Sequence, residues 1–288
     1  MARIGVIGIG QMGLAMALRL RDAGHAVTVR DIDDTREALA AAGGAAIAPH
    51  PAALAAQCEL LIVAVVDAAQ TNDVLFGTDG AAAALPAGAT VMLCATIAPD
   101  DVEAAARRLD ALGLAVIDAP MSGGPVRARD GTMSLMLACD DAVHDRWHAV
   151  LDRLAAHRFR IGRRPGNAMR TKLVNNLLAA INLAGAAEAM ALAERLGLDA
   201  ALTLDVIAKS SGQSWIGLDR MRRALAGDAT PQAAMALLAK DSGLALAMAQ
   251  AVGAPSPIGS VAAERFAAAC RDGLATADDA ALWRRQRD

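Results

Sequence analysis

Aromatic residues are nearly absent from this 288-residue sequence: it has no tyrosine, and aromatics make up 2% of the chain. A protein surface that stacks nucleic-acid bases needs aromatic side chains beside basic ones, whereas the formal net charge here is −3. These two features exclude a general nucleic-acid binder. The hydrophobic fraction of 55% still predicts a sizeable core, which must be built from Ala, Leu, Val, Ile and Met.

Cysteine is scarce as well, and its spacing excludes the usual disulfide and zinc frameworks. The four cysteines are Cys58, Cys94, Cys139 and Cys270. None forms a CxxC pair, so we predict reduced, mostly buried thiols. His144 and His148 are spaced as in a zinc helix, but Asp145 stands where that motif has glutamate, and no third ligand is evident. No metal site is predicted.

No run of 18 or more apolar residues suggests a membrane span, because the alanine-rich segments carry regular Arg, Glu and Asp. The N-terminal stretch MARIGVIGIG is apolar, but it lacks a basic leading region and glycines interrupt it. It therefore predicts a β-strand and not a signal peptide. We expect a soluble, cytoplasmic protein without a membrane partner.

Strand-like and helix-like segments alternate over the first 165 residues. The strand candidates are residues 3–9, 26–32, 59–66, 89–95, 114–120 and 132–138. The helix candidates are residues 11–23, 35–42, 69–75, 100–112 and 140–156. This alternation predicts right-handed crossovers and an α/β domain with a mainly parallel, doubly wound sheet.

The pattern changes near residue 160, where RIGRRPGN (160–167) predicts a turn with no further strand. One long helix is predicted over about 168–196, about 43 Å in length. The later helix candidates are residues 199–210, 214–226, 231–252, 257–272 and 277–285. Thr230 and Pro231 look like the cap and first turn of the third of these. We therefore predict two domains, 1–165 and an all-helical 166–288, joined by the long helix.

The segment VIGIGQMG (6–13) follows the first strand and opens the first helix. In a dinucleotide-binding loop, Gly8 allows the tight turn, Gly10 lets the backbone approach a pyrophosphate, and Gly13 lets helix and strand pack closely. The helix N-terminus adds N–H donors and partial positive charge. Asp31 lies at the end of the second strand, where an acidic residue binds the ribose hydroxyls.

The choice between the two nicotinamide cofactors depends on the same strand end. The carboxylate of Asp31 would repel a 2′-phosphate, which favours NAD. Arg30 and Arg36 lie nearby and keep NADP as an alternative.

Ser122, Gly123 and Gly124 follow another strand, in DAPMSGG (118–124). A hydroxyl beside bare backbone amides suits a small carboxylate, although an ordinary turn has the same sequence.

Lysine is the scarcest charged residue: the 28 basic residues include only Lys172, Lys209 and Lys240. Arginine stays protonated, whereas a desolvated lysine can lose its proton near neutral pH and act as a base. Lys172 and Asn176 are four residues apart and share one face of the long helix. Such a pair is also common on exposed surfaces, as is the pair Lys240 and Asp241 in LLAKDSGLALAMA (237–249).

Taken in order, these motifs resemble the β-hydroxyacid dehydrogenase family, which includes 3-hydroxyisobutyrate dehydrogenase. The likeness runs essentially from end to end and includes GNAMRTKLVNN (166–176). Three further segments are most similar to the L-threonate dehydrogenase branch: VVDAAQTNDVLFG (65–77), MLCATIAP (92–99) and SSGQSW (210–215).

The resemblance implies a Rossmann domain, a long interdomain helix and a helical domain that helps to build a homodimer or homotetramer. Lys172 would be the catalytic general acid/base with Asn176 beside it, and the substrate would bind Ser122, Gly123 and Gly124. The implied cofactor contacts are Gly8, Gly10, Gln11, Met12, Gly13, Asp31, Val65, Val66, Thr96 and Lys240. The chain departs from the family near the nicotinamide, with Ala95 where serine is frequent and Val65-Val66 where leucine–proline is common.

The sequence thus predicts NAD-dependent oxidation of a short hydroxy acid, with L-threonate first and 3-hydroxyisobutyrate or a serine-like acid next. The alternatives are an NADP-linked reductase of a small aldehyde acid such as tartronate semialdehyde, an imine reductase, and a non-catalytic NAD sensor. Imine reductases generally lack the lysine, and a sensor needs no Lys172–Asn176 pair.

Overall fold

The computed structural model describes residues 1–228 and 230–287. The chain divides into two compact units, Met1–Lys172 and the residues from Leu173 onward. The division falls inside one long helix, a few residues after the predicted domain boundary at 165 and 166. That boundary stays a prediction for the functional domains.

The first unit contains a sheet of nine strands within the described residues. They are β1 (Arg3–Ile7), β2 (Ala26–Arg30), β3 (Ala46–Ile47), β4 (Leu60–Val63), β5 (Thr90–Leu93), β6 (Ala115–Asp118), β7 (Met121–Ser122), β8 (Met133–Ala138) and β9 (Ala155–Gly162). The spatial order is β3-β2-β1-β4-β5-β6-β8-β7, with β9 also paired to β8. The six strands from β3 to β6 pair in parallel, and β8 is antiparallel to β6 and β7. The expected mainly parallel, doubly wound Rossmann sheet is confirmed.

Helices cover both faces of this sheet. Those of the first unit are α1 (Gln11–Asp22), α2 (Asp34–Ala42), α3 (Pro51–Ala55), α4 (Ala68–Phe76), α5 (Pro99–Asp110), α6 (Gly124–Asp130) and α7 (Asp141–Leu154). One core cluster includes Met16 of α1 and Trp147 of α7, and another includes Leu75 of α4 and Val102 of α5. Trp147 is the one aromatic among the buried residues of these two clusters, and the others are Ala, Leu, Val, Ile, Met and Cys, close to the predicted composition.

The second unit contains helices and no β-strand among its described residues, which confirms the predicted all-α part. Its helices are the greater part of α8 (Asn167–Arg195), then α9 (Ala200–Ala208), α10 (Trp215–Leu225), α11 (Met235–Ala251), α12 (Pro257–Ala269) and α13 (Leu282–Arg287). Their core is a cluster that includes Leu183, Met190, Met221 and Phe266.

By length and composition, α8 is the one helix of the described residues that resembles a membrane span. Its most apolar window has a mean hydropathy of 1.4, and 39% of that window is buried inside the protein. Ala180, Leu183, Ala187 and Met190 of this helix are completely buried in the core of the second unit. Packing within the second unit therefore accounts for the apolar residues on the buried side of α8.

The structure contains a strand that was not predicted, and one helix begins later than predicted. The chain after α7 forms β9, which pairs in parallel with β8, although the sequence predicted no strand there. The helix α11 begins at Met235 instead of Pro231, because the backbone N–H groups of Gln232 and Ala233 donate to the carboxylate of Asp278. That partner is too distant along the chain for local capping rules to anticipate.

Candidate active site

Gly8 brings the loop after β1 against the loop after β4. Its φ is +84°, and a Cβ there would lie 2.8 Å from the backbone of Ala64 and Val65. Its N–H donates to the carbonyl of Arg30 at the end of β2, over 3.0 Å. The order of the strands reverses between β1 and β4, which is where open α/β sheets bind ligands.

Glycine is present at positions 10 and 13 for two different structural reasons. A Cβ on Gly13 would lie 1.9 Å from the carbonyl oxygen of Gly8, so glycine is required for α1 to pack on the loop. A Cβ on Gly10 would meet no atom of the described residues within 4 Å. Gly10 is exposed, and α1 begins directly after it, with Gln11 exposed, Met12 half-buried and no side-chain cap among the described residues. The open space over Gly10 fits a pyrophosphate held by the start of the helix.

Asp31 lies against this loop. Its Oδ2 accepts the N–H of Ile9 over 2.6 Å, and its Oδ1 accepts the N–H of Asp33 over 3.0 Å. A carboxylate has about four acceptor positions, so Asp31 keeps capacity for ribose hydroxyls. The two neighbouring arginines face carboxylates: Arg30 is 2.9 Å from Glu37, and Arg36 is 4.0 Å from Asp33.

The ends of β4 and β5 carry the other predicted cofactor contacts of the first unit. Val65 is half-buried and Val66 is 49% exposed, with its N–H donating to the side-chain oxygen of Gln70. Ala95 is buried in the core, and Thr96 beside it is half-buried. These residues follow adjacent parallel strands and therefore lie at the same edge of the sheet as Gly8 and Asp31.

The predicted carboxylate-binding loop begins in β7, where Ser122 pairs with Ser134 of β8. Gly123 and Gly124 follow with φ values of +127° and +76°. Two successive residues in this region give a backbone that side chains with a Cβ rarely adopt. The turn therefore depends on both glycines, and all three residues are half-buried.

Lys172 lies in the second turn of α8 and is buried, with 8% of its surface exposed. The start of this helix is held by Asp118, at the end of β6, whose Oδ2 accepts the N–H of Gly166 over 2.7 Å and that of Ala168 over 3.1 Å. This role of Asp118 was not predicted from the sequence. The feature of the sequence that could have indicated this role is an acidic residue at the end of the apolar run LAVID (114–118).

Asn176 and Lys240 come together in the second unit through Asp241. The side-chain nitrogen of Asn176 donates to Oδ2 of Asp241 over 2.6 Å, and Nζ of Lys240 is 2.8 Å from Oδ1 of the same carboxylate. Asp241 is buried, so the Lys240–Asp241 pair is more than surface decoration. The side-chain oxygen of Asn176 accepts from Asn175, which fixes the orientation of the amide. Asp241 stood out in the sequence only as half of a charged pair that interrupts an apolar helix, and its contact with Asn176 was not predicted.

His144 and His148, which have the spacing of a zinc helix, each lie near a carboxylate. Nδ1 of His144 is 3.3 Å from Asp145, and Nδ1 of His148 is 3.5 Å from Asp152. Throughout residues 1–228 and 230–287 there is no group of three His, Cys, Asp or Glu side chains placed to hold a metal ion.

Comparison with known proteins gives a consistent result for both parts of the chain. The profile of the NAD binding domain of 6-phosphogluconate dehydrogenase matches residues 3–162. The profile described as "NAD-binding of NADP-dependent 3-hydroxyisobutyrate dehydrogenase" matches residues 166–285. The two matches together identify the chain as an NAD(P)-binding protein.

Three relatives are similar over nearly the whole chain. L-threonate dehydrogenase of Cupriavidus necator is 39% identical, over 97% of this chain and 94% of that protein. L-threonate dehydrogenase of Escherichia coli K12 is 37% identical, over 97% and 93%. A crystal structure of 3-hydroxyisobutyrate dehydrogenase from Salmonella typhimurium is 36% identical, with a TM-score of 0.92 over 99% of both chains. The chain therefore belongs to the β-hydroxyacid dehydrogenases of the 3-hydroxyisobutyrate dehydrogenase type, NAD(P)-dependent oxidoreductases acting on a CH–OH group, and is similar to their L-threonate dehydrogenase branch.

Proposed function

We propose that this enzyme oxidises a short hydroxy acid with NAD, using Lys172 as general acid/base. The observation that carries the proposal is the burial of Lys172. A chain with 25 arginines places one of its three lysines at a buried position of α8, just after the turn that Asp118 holds. Arginine cannot take part in proton transfer at an accessible pH, whereas a lysine amine can, so lysine at this buried position suits a general acid/base.

The residues have the following proposed roles. The hydroxyl of Ser122 and the backbone of Gly123 and Gly124 bind the substrate carboxylate and hydroxyl. Lys172 takes the hydroxyl proton at Nζ as the carbinol hydrogen leaves as hydride, and in the reverse reaction it returns the proton. A bound nicotinamide would supply the hydride acceptor. Asn176, held by Asp241, keeps its amide in one orientation beside the lysine.

The cofactor roles follow the strand ends of the first unit, and the role of Lys240 on α11 follows the family resemblance alone. We propose that the backbone of Gly8, Gly10 and Gly13, with Gln11 and Met12, binds the pyrophosphate. Asp31 would bind the adenosine ribose, and the residues nearer the nicotinamide would be Val65, Val66, Thr96 and Lys240. This assignment is supported by the open space over Gly10 and by the contact of Asp31 with the N–H of Ile9.

We expect NAD to be preferred over NADP by about 100-fold in kcat/KM, because the Asp31 carboxylate repels a 2′-phosphate. Asp31→Asn should reduce this preference by about tenfold or more, since it removes the charge and keeps an oxygen acceptor. The measurement is initial-rate kinetics with both cofactors. Asp34→Asn, which removes an exposed charge three residues later, should leave the preference unchanged. A wild-type enzyme that uses both cofactors equally would contradict the role of Asp31.

The test of the activity is NADH formation across a panel of short hydroxy acids at mildly alkaline pH. We expect L-threonate to have the highest kcat/KM, because the chain is similar to L-threonate dehydrogenases. The kcat/KM values for 3-hydroxyisobutyrate and serine-like acids should be lower. Faster reduction of tartronate semialdehyde with NADPH would favour the reductase, and reduction of a cyclic imine would favour an imine reductase. Cofactor binding with no turnover of any compound would favour an NAD sensor.

We also propose a cytoplasmic homodimer or homotetramer that assembles through the helical domain, with no nucleic-acid or membrane partner. Exposed large apolar side chains recur in the second unit and support this assembly. They include Leu178, Leu192, Leu196, Leu202, Val206, Val252, Ile258 and Val261, each more than half exposed.

A further inference from the structure

Asp118 holds the start of α8 from a strand that is distant in sequence. Its Oδ2 accepts three backbone N–H groups: those of Gly166 over 2.7 Å, Ala168 over 3.1 Å and Met169 over 3.3 Å. The first N–H groups of any helix have no partner within the helix, so a carboxylate at this end satisfies several of them at once. Asp118 is completely buried, which makes these bonds strong and their loss costly.

The same carboxylate is also close along the chain to the substrate loop. Asp118 is the last residue of β6, pairs with Ala138 of β8, and precedes Ser122 by four residues. Ala119 and Pro120 between them are buried, and Ser122 pairs with the same strand, β8. One side chain therefore joins the segment that carries Ser122 to the helix turn that precedes Lys172.

A second carboxylate, that of Glu103, also contacts the start of α8, through surface arginines. Glu103 of α5 accepts from Arg164 and from Arg170, each over 2.8 Å. The side chains of Arg164 and Arg170 are 69% and 37% exposed, and such pairs contribute little to holding a structure. Glu103 thus offers a matched control for Asp118, because it holds the same turn through exposed arginines instead of buried amides.

We propose that Asp118 is a positioning residue of the reaction, fixing Lys172 relative to the Ser122–Gly124 loop. The proposal rests on the proposed roles of Lys172 and of that loop. It assigns to Asp118 no contact with substrate or cofactor. Its effect on the rate comes from the distance between the base and the bound hydroxyl, to which proton transfer is sensitive.

The charge of Asp118 gives this role a pH dependence. Burial raises the pKa of Asp118 to about 6, against the lowering effect of its three backbone hydrogen bonds and of Arg170. The other titratable groups that face it are Cys94 after β5 and Cys139 after β8. Burial raises the pKa of both thiols, that of Cys139 to about 11, so both stay neutral while Asp118 titrates. Asp118 is thus ionised above about pH 6 and a neutral, weaker acceptor below it.

Because the pKa of Asp118 is raised, lowering the pH affects its role in positioning and its contribution to stability in opposite directions. The pKa of Asp118 is higher in the folded protein than the ordinary value of 3.8, so the folded state binds the proton more readily than the unfolded chain. The contribution of this group to stability therefore rises as the pH falls from about 6 towards 4. Protonation of Asp118 therefore weakens the positioning but does not itself lower the stability of the fold.

The experiment compares Asp118→Asn with wild type and with Glu103→Gln. At pH 8 we expect kcat of Asp118→Asn to fall about 20-fold, with NADH affinity within about twofold, because Gly8–Gly13 and Asp31 lie on other strands. Hydrogen exchange at residues 166–169 should be faster. Glu103→Gln should keep kcat within about threefold.

The pH profile is the readout that a merely structural role does not change. The kcat ratio of Asp118→Asn to wild type should rise from about 1/20 at pH 8 towards one at pH 5, because the wild-type carboxyl is then neutral too. A ratio that is constant between pH 8 and 5, or an equal loss in Glu103→Gln, would overturn the proposal.

A second variant leaves Asp118 in place, in case its replacement prevents folding. Gly166 has a φ of +94°, so Gly166→Ala strains the turn that presents these N–H groups. We expect a similar loss of kcat with NADH affinity retained, and unchanged kcat would contradict the proposal. Lys172→Arg, assayed in parallel, tests the proposed function separately. If that variant is inactive while Asp118→Asn and Gly166→Ala are fully active, only the positioning role fails.

Discussion

Lys172→Arg is expected to lower kcat by about three orders of magnitude while NADH affinity changes by less than about threefold. Arginine keeps the positive charge and the hydrogen-bond donors, but it cannot give up its proton at an accessible pH. A loss in this variant therefore isolates proton transfer from charge and from substrate binding. The measurements are kcat and KM with the preferred hydroxy acid, and the dissociation constant of NADH by fluorescence titration.

The scarcity of lysine supplies the control for this experiment. Lys209 is exposed at the end of α9, so Lys209→Arg makes the same chemical change away from the site and should leave kcat unchanged. Lys172→Met should be as inactive as Lys172→Arg, since neither side chain accepts a proton. Appreciable turnover by Lys172→Arg would assign the proton to another group and remove the central role of Lys172.

Gly10→Ala should weaken binding of NAD and NADH by about 100-fold without loss of thermal stability. The added methyl meets no described atom of the protein within 4 Å, so the folded structure accommodates it. The same methyl occupies the space in which the backbone would approach a pyrophosphate. Differential scanning fluorimetry and calorimetric titration measure the two quantities.

Alanine substitutions at two other glycines serve as comparisons for Gly10→Ala. Gly13→Ala places its methyl 1.9 Å from the carbonyl oxygen of Gly8, so it should lower both stability and cofactor affinity. Gly185, exposed within α8, also has no described atom within 4 Å, and Gly185→Ala should leave cofactor affinity unchanged. If Gly10→Ala binds NADH as tightly as wild type, the pyrophosphate does not lie over this loop.

Most of the α/β framework could be predicted because local patterns determine it. The centre of the apolar run ELLIVAVV (59–66) forms the completely buried strand β4, and VIGIGQMG (6–13) marks one strand, one turn and one helix start. The predicted long helix, 168–196, differs from α8 by one residue at each end. These features depend on residues close to each other in the chain.

The features that sequence reasoning missed depend on distant partners. The strand β9 has a mixed, partly exposed sequence, AAHRFRIG (155–162), and is recognised by its backbone pairing with β8. Asp118 meets its amide partners about 50 residues later, and Asp241 meets Asn176 across 65 residues. No periodicity in the sequence encodes such pairings, although an acidic residue inside or at the end of an apolar run is a reason to look for one.

The placement of the three lysines makes the enzyme well suited to direct spectroscopy. Lysine labelled with carbon-13 at the ε position would give three side-chain signals in a chain of 288 residues. The exposed Lys209 would serve as an internal reference, Lys240 would report the ion pair with Asp241, and Lys172 would report the buried amine. A single labelled sample, titrated with and without NADH, would follow the protonation of the proposed base without any substitution.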